Sequence, residues 1–359
     1  MKKNLFFVAL AAFALVACDK DGETLAAPEG TVEFPNEQIA WDGMQTSVLI
    51  NANCDWSIRC DSKFATFSPA EGNAETKQVK VTIAPNTTNE ALNIPFSVIL
   101  KGANGESKEI HESILVPEPS LTYGGDTYKV VYLNDGKFWM AEPLAYLPQG
   151  VEASDAPSAD SKDIVFYPYS SDGTTCTALK DAASIKAKGY LYKALAVFGD
   201  SIKEENIGKF EGAQGICPEG WHVPTRAEYI ALLGYSNKST YAQETAPIVD
   251  TTACYYDTAY KGSKVSLLNE AGFNFVFSGA VVNNIYGKTV ISASNSTVEN
   301  YYDNPVLTYI WTSSPNTATQ FFAAMTTFTK AAYPEGRVTL AFADVNKSAN
   351  QLRCVRNAE

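Results

Sequence analysis

The chain has 359 residues, of which 45% are hydrophobic, and its formal net charge is −12. This length predicts at least two domains, and the apolar content is sufficient for a sizeable core. The negative charge argues against a nucleic-acid partner, because such a partner requires clustered Lys and Arg side chains.

The first residues have the pattern of an export signal. Two lysines precede an apolar run from Leu5 to Val16 that is too short to span a bilayer, so residues 1–17 are predicted to be a secretory signal peptide. The run ends in Leu15-Val16-Ala17-Cys18, which resembles the lipobox of bacterial lipoproteins. The resemblance implies that Cys18 is acylated and becomes the mature N-terminus. The alternative is an ordinary cleavage site beside a chance cysteine.

Residues 18–29 are predicted to form an acidic tether. The stretch Asp19-Lys20-Asp21-Gly22-Glu23 resembles the surface-export signal of Bacteroidota lipoproteins. It implies a protein that is anchored in the outer membrane through the lipid on Cys18 and displayed at the cell surface. Enterobacterial sorting rules would instead retain a lipoprotein with Asp after the cysteine in the inner membrane.

Residues 30–116 are predicted to be all-β. Short runs rich in β-branched and aromatic residues are separated by clusters of Pro, Gly and Asn, a pattern typical of a β-sandwich. The runs are Val48–Ile50, Trp56–Ile58, Phe64–Phe67, Val79–Ile83 and Phe96–Leu100.

Three phrases in this region resemble the BACON domain, an Ig-like module of Bacteroidota surface proteins. They are Asn53–Trp56, Ser68–Asn73 and Ala84–Thr88. The resemblance implies an Ig-like sandwich that binds carbohydrate or mucin or acts as a spacer. Trp56 is predicted to be a core aromatic, with a sugar-stacking platform as the alternative.

Residues 117–120 contain two prolines and are predicted to link this domain to a second one, over residues 121–359. Helices are predicted at Ala182–Lys188 and Ser266–Ala271. Strands are predicted around the Gly124-Gly125 turn, at Phe273–Phe277, and in four closing runs, Tyr309–Thr312, Phe321–Thr326, Arg337–Phe342 and Leu352–Arg356.

One further helix has a well-defined start. Thr225 and Glu228 have the spacing of a capping box, in which each side chain accepts a hydrogen bond from the other residue's backbone N–H. Pro224 disfavours helical backbone in the residue before it, and Gly234 is well placed to end the helix.

The run from Cys217 to Thr225, Cys-Pro-Glu-Gly-Trp-His-Val-Pro-Thr, resembles the hallmark of the Fibrobacter succinogenes major paralogous domain. The other pieces of that family follow in its order: Tyr128–Val130, Trp139–Glu142, Gly189–Tyr192, Gly272–Asn274, Trp311–Ser314 and Arg353–Arg356. The resemblance covers Leu121 to Asn357. It implies an α+β, C-type-lectin-like fold related to that of formylglycine-generating enzymes.

Cysteine usage fits an exported protein. With Cys18 assigned to the lipid, six cysteines remain, and spacing alone does not choose among their pairings. The family pattern implies a Cys217–Cys354 disulfide, which leaves Cys176 and Cys254 as a second candidate pair. Cys54 and Cys60 can pair only if the chain turns between them; otherwise they are small buried hydrophobes.

The sequence predicts no enzyme and no cofactor. Its two histidines, His111 and His222, fall in different predicted domains, whereas a nucleophilic site needs a base beside its nucleophile. His222 lies inside the family motif and is assigned a structural role. Formylglycine-generating enzymes use two cysteines a few residues apart, just ahead of the final Arg-Cys element. Here the only cysteine near the C-terminus is Cys354, within that element.

Candidate ligand-binding residues lie in two polar, aromatic stretches. One contains Tyr255 and Tyr256; the other, Ile291–Thr308, is predicted to be the long loop of a lectin-like fold and contains Tyr301, Tyr302, Asp303 and Asn304. Tyrosine rings suit exposed sugar-binding surfaces, and packing at the base of the loops is the alternative.

Calcium is considered at the same loop. Asp303 and Asn304 offer oxygen ligands of the type that calcium takes, and a solvated turn is the alternative. The tripeptides of calcium-dependent animal lectins are missing, since Glu142-Pro143-Leu144 and Trp311-Thr312-Ser313 differ from them. No metal site is therefore assigned.

Three hypotheses for function follow. The first is a non-catalytic surface lipoprotein whose lectin-like head binds a glycan or a surface protein, in adhesion or nutrient capture. The second is a tip or accessory subunit of a surface fibre. The third, a formylglycine-generating type of enzyme, is disfavoured by the missing cysteine pair.

Overall fold

The computed structural model describes residues 26–34, 38–171, 175–233, 265–287, 308–329 and 333–358. The chain divides into two units. The first comprises Met1–Gln38, Gln45–Ile83 and Ile94–Ile114, and the second comprises Ile39–Met44, Ala84–Asn93 and Leu115–Glu359. No helix in the described ranges is long and apolar enough to cross a membrane.

Strands are the only regular secondary-structure elements among the described residues from 30 to 116. They are β1 Gly30–Glu33, β2 Met44–Ala52, β3 Asp55–Arg59, β4 Ala65–Ser68, β5 Glu71–Gly72, β6 Gln78–Ile83, β7 Leu92–Lys101 and β8 Ser107–Val116. The five apolar runs predicted to be strands each fall on one of these strands.

The strands of the first unit form two antiparallel sheets, ordered β1-β2-β6-β4 and β5-β3-β7-β8. In β6, buried and exposed residues alternate, as expected of a strand with one face on a core. The rings of Phe67 in β4 and Phe96 in β7 lie 4.9 Å apart, so the buried faces of the two sheets contact each other. Trp56 is buried in this core, as predicted.

Cys54 and Cys60 lie at the two ends of β3, outside the strand itself. Because the chain between them is extended, the two thiols cannot meet, and neither forms a disulfide within the described residues. Both are half-buried, which is less burial than the alternative prediction of small buried hydrophobes implies.

The second unit mixes short helices with several small sheets. Its elements from residue 120 onward are β9 Ser120–Tyr123, β10 Asp126–Tyr132, β11 Lys137–Met140, β12 Val165–Phe166, β13 Tyr169–Ser171, β14 Cys176–Ala178, α1 Ala182–Lys188, β15 Leu191–Lys193, α2 Ala194–Phe198, a 3-10 turn Ile207–Lys209, α3 Arg226–Leu233, α4 Val265–Glu270, β16 Val281–Val282, β17 Ile285–Tyr286, β18 Tyr309–Thr317, β19 Gln320–Thr329, β20 Tyr333–Asp344, β21 Ala349–Asn350 and β22 Val355–Asn357.

These strands form sheets ordered β22-β11-β10-β9, β12-β15-β21-β16-β17 and β18-β19-β20, together with the β13-β14 hairpin. The last strand, β22, pairs with β11 near the start of the unit, so the two ends of this region meet. Trp139, Trp221 and Trp311 are buried in its core. The helices predicted at 182–188 and 226 onward are confirmed, and the one predicted at Ser266–Ala271 corresponds to α4.

The strand predicted at Phe273–Phe277 is wrong. This segment is irregular and belongs to no sheet. Asn274 has a φ of 47°. The Arg353 guanidinium donates hydrogen bonds to the carbonyls of Phe273 and Asn274, and the Asn269 side chain accepts one from the N–H of Phe275. Side chains thus satisfy the backbone groups that a neighbouring strand would otherwise pair.

Candidate functional site

The start of α3 is organised by the predicted capping box. Glu228 N donates to Thr225 Oγ1 at 3.1 Å, and Thr225 N donates to Glu228 Oε2 at 2.8 Å. Two N–H groups that the first helical turn leaves without a backbone partner are therefore satisfied reciprocally.

The second oxygen of the same carboxylate holds two further groups. Glu228 Oε1 lies 2.8 Å from His222 Nε2 and 3.2 Å from Lys137 Nζ, and 11% of the Glu228 side chain is exposed. Burial raises the pKa of Glu228, but the hydrogen bonds from His222 and Thr225 outweigh it and lower that pKa to about 2. The His222 side chain is therefore engaged in a structural hydrogen bond with Glu228.

The Cys217–Cys354 disulfide implied by the family pattern is present, with Cα atoms 5.9 Å apart. Beside it, the backbone of His222 exchanges hydrogen bonds of 2.9 and 3.0 Å with Val355. The family motif is therefore attached to the final strand by a covalent bond and by backbone pairing.

The Trp311–Ser314 motif ties β18 to the same region. Ser313 Oγ donates to Val223 O at 2.9 Å, and Ser314 Oγ accepts from Arg226 N at 2.7 Å. Both serines are buried. Ser314 Oγ also donates to Glu211 Oε1 at 2.7 Å, so both hydroxyls are held in buried hydrogen bonds around the start of α3.

Arg353 is a fully buried cation held by carbonyl oxygens. Its guanidinium donates to Ala141 O and Asn274 O, each at 2.8 Å, and to Phe273 O, and it lies 4.3 Å from the centre of the Phe273 ring. Burial lowers the pKa of Arg353 to about 10, so the side chain is charged at neutral pH. It joins β11 and the irregular segment around Phe273 to the end of the chain.

The other histidine has a serine and a glutamate nearby, but their geometry is not that of a catalytic triad. Ser97 Oγ lies 3.0 Å from His111 Nδ1, and Glu109 Oε1 lies 3.9 Å from the same nitrogen. A triad needs the nucleophile on one ring nitrogen and the acid on the other. His111 is exposed at the edge strand β8.

Several predicted site residues lie outside the described ranges. They are Cys18, Cys254, Tyr255, Tyr256, Tyr301, Tyr302, Asp303 and Asn304. The roles assigned to them stay predictions, as does the Cys176–Cys254 pair. Cys176 itself begins β14, with its Sγ 3.8 Å from Ser171 Oγ. No cluster of His, Cys, Asp or Glu that could hold a metal ion occurs among the described residues.

The described residues do contain an aromatic surface that sequence reasoning missed. We call the half-buried Tyr123, Tyr146 and Tyr167 the tyrosine surface; Tyr190, which packs against Tyr167, is buried. Tyr123 ends β9 and pairs with Asp126 across a two-residue turn in which Gly124 and Gly125 have φ values of 63° and 91°. Such a turn needs residues that tolerate positive φ, and the paired glycines supply them.

Tyr146 packs directly on this turn. A Cβ placed on Gly124 would lie 2.4 Å from Tyr146 Cδ2, so the ring occupies the space that any other side chain would fill. The rings of Tyr146 and Tyr123 lie 4.6 Å apart, and Tyr123 Oη donates to Ile216 O at 2.9 Å. Both rings are half-buried and held in place on one side.

Charged side chains lie beside these rings. Lys186 of α1 has its Nζ 4.0 Å above the Tyr128 ring, 3.8 Å from Asp126 and 3.9 Å from Glu142, and donates to Thr127 O at 2.7 Å. One cation thus faces two carboxylates, so the net charge of these three side chains is negative.

A second ring pair adjoins the first. Tyr167 and Tyr190 lie 5.9 Å apart, and Tyr167 is also approached by Lys180, which forms an ion pair with Asp155. Burial raises the pKa of Tyr190, and the nearby Tyr167 and Asp126 raise it further. Tyr190 N also donates to Leu144 O at 3.1 Å, two positions before Tyr146 in the chain, so the two ring pairs lie on hydrogen-bonded segments.

The family comparison agrees with the motif geometry. The model of the Fibrobacter succinogenes major domain matches residues 135–356, more than half of the chain. The protein belongs to this family. A search among curated proteins finds no match. Among solved structures, a Bacteroides ovatus GH5 xyloglucanase in complex with a XXXG heptasaccharide is similar at 18% identity, over 26% of this chain and 20% of that one, with a TM-score of 0.21. A similarity this low carries no structural or functional argument.

Proposed function

We propose that the protein is a non-catalytic surface lipoprotein whose C-terminal unit binds a glycan or a surface protein, in adhesion or nutrient capture. The observation that carries the proposal is the role of the family motifs. Polar side chains of these motifs, such as those of His222, Ser313 and Arg353, make contacts that hold the unit together. Recognition is then left to the surface and to the loops.

In this proposal the N-terminal unit is an Ig-like, BACON-type sandwich, and the second unit has a C-type-lectin-like fold. The lipid on Cys18 anchors the chain in the outer membrane, and the acidic tether allows display at the cell surface. Two or more acyl chains are needed for stable anchoring, as in bacterial lipoproteins. Replacing Cys18 with Ala should abolish labelling by a fatty-acid analogue and release the protein into the soluble fraction.

The absence of catalysis is part of the proposal. His222 is engaged by Glu228, and the hydroxyls of Ser313 and Ser314 are held in buried hydrogen bonds. The Ser97–His111 pair of the first unit lacks the geometry of a catalytic triad. An enzyme of the formylglycine-generating type would also require a cysteine pair near the C-terminus, where only Cys354 occurs, and Cys354 forms a disulfide.

A fibre subunit is the second candidate, and one observation favours it. Among the described residues, the twelve-residue strand β20 pairs on one side only, with β19. Such an edge can accept a strand from another chain. Assembly of the purified protein into filaments or strand-exchanged oligomers would favour this candidate over the binding module.

The test of the binding proposal is glycan-array binding by the oxidised full-length protein, with acylation prevented by Cys18→Ser. Both units are retained, because the second unit includes residues 39–44 and 84–93. Calcium-dependent binding that is lost in Asp303→Ala would place a site in the 291–308 stretch. A blank array would contradict the glycan form of the proposal and leave a protein partner, to be sought by surface cross-linking.

A further inference from the structure

We propose that the tyrosine surface is a calcium-independent site for uncharged saccharide rings. This inference rests on the proposed function but places the site on residues to which neither the family motifs nor the sequence prediction assigns a binding role. It is carried by the fixed rings of Tyr146 and Tyr167 and by the carboxylates of Asp126 and Glu142 beside them.

The rings are fixed before any ligand arrives. Tyr146 is held between Gly124 and the Tyr123 ring, and its own backbone carbonyl accepts from the buried Tyr192 hydroxyl at 2.7 Å. Tyr123 is held by Ile216 O, and Tyr167 packs against Tyr190. A ligand that stacks here therefore orders few side chains, which lowers the entropic cost of binding.

The chemistry of this surface matches a sugar ring. A saccharide has an apolar C–H face that packs on an aromatic ring, and hydroxyls at its edge that donate hydrogen bonds. Half-buried tyrosines offer the apolar face, and Asp126 and Glu142 offer acceptors at its border. Both carboxylates are partly exposed, with side-chain exposures of 42% and 30%.

The negative charge of Asp126 and Glu142 favours neutral sugars over acidic ones. Both adjacent cations are engaged: Lys186 by the two carboxylates and by Thr127 O, and Lys180 by Asp155. A uronate or sialate would meet a negative border with these cations occupied, so like charges would oppose it. A neutral sugar meets no such repulsion. No metal is required, because the contacts are made by rings and carboxylates.

The test uses an array of neutral, uronate-bearing and sialylated glycans in calcium-free buffer, followed by titration of the best ligand. Tyr146→Ala and Tyr167→Ala should each weaken binding about tenfold, whereas Tyr146→Phe should keep it. Glu142→Gln should narrow the difference in affinity between neutral and acidic sugars.

A matched pair of glycine variants separates ring position from general damage. Gly124→Ala must displace the Tyr146 ring, whereas a Cβ added at Gly125 meets no atom within 4 Å. Both positions have positive φ, so both variants carry backbone strain and only the first meets the ring. Binding should fall in the first variant and persist in the second, with melting temperatures recorded for both.

Three outcomes would overturn the inference. Glycan binding that survives Tyr146→Ala and Tyr167→Ala would place the site elsewhere and leave the proposed function intact. A preference for acidic glycans would reject the ligand class. A blank array would reject the glycan form of the proposed function, and this inference with it.

Discussion

The Glu228 carboxylate should make the stability of the second unit depend on acid pH. Its pKa is lowered from 4.5 to about 2, and this shift of about 2.5 units corresponds to roughly 3 kcal/mol of stability. The contribution is complete above the unfolded pKa of about 4.5 and is lost as pH falls through the folded pKa. At pH 3, about 1.4 kcal/mol of it should remain.

Glu228→Gln tests this stability contribution, because the amide has nearly the shape of the carboxylate but lacks the negative charge that His222 and Lys137 contact. The free energy of unfolding is measured by guanidinium denaturation of the oxidised protein at pH 7 and pH 3. Fluorescence of the buried Trp139, Trp221 and Trp311 reports the transition.

The native protein should lose about 2 kcal/mol more than Glu228→Gln between the two pH values. Glu219→Gln, at an exposed position in the family motif just before α3, is the control and should follow the native protein. An equal loss in the native protein and in Glu228→Gln would refute the assignment of this acid dependence to the carboxylate.

Three more predictions concern the same unit. The Cys217–Cys354 bridge closes a loop of 137 residues, so its reduction should lower the free energy of unfolding by about 5 kcal/mol in the chain-entropy model. The melting temperature should therefore fall in dithiothreitol, and an unchanged melting temperature would contradict this prediction. Arg353→Met should destabilise by about 3 kcal/mol or more because it leaves buried carbonyls without donors; a denaturation midpoint equal to that of the native protein would argue against this role. Gly124→Ala should destabilise by at least about 1 kcal/mol, from both positive φ and the ring that it meets, and more than Gly125→Ala does; equal melting temperatures for the two variants would show that the ring contact is unimportant.

Local chemistry explains which features the sequence predicted. The Thr225–Glu228 capping box depends on two residues three positions apart, so its geometry is encoded locally. The Cys217–Cys354 bridge joins distant positions and was reached only through the family resemblance. The contacts of Glu228 with His222 and Lys137 could not be predicted, since they depend on how α3 docks against β11.

The wrong strand prediction at Phe273–Phe277 shows that an alternating apolar pattern does not reveal contacts with distant residues. Alternation of apolar residues predicts a strand, but the carbonyls of Phe273 and Asn274 accept hydrogen bonds from Arg353, which lies about eighty positions away in the chain. The tyrosine surface was missed for a similar reason, because Tyr123, Tyr146 and Tyr167 carry no shared spacing. The Gly124-Gly125 pair was the one local signal of a tight approach.

The disulfide also determines what happens to a cleaved molecule. A protease that cuts the backbone anywhere between Cys217 and Cys354 leaves two fragments that remain covalently joined. The C-terminal fragment also keeps its place through β22, which pairs with β11. Nicked protein would therefore run as one band without reductant and as two bands with it. A cut in this region would therefore leave the rest of the unit attached until the disulfide is reduced.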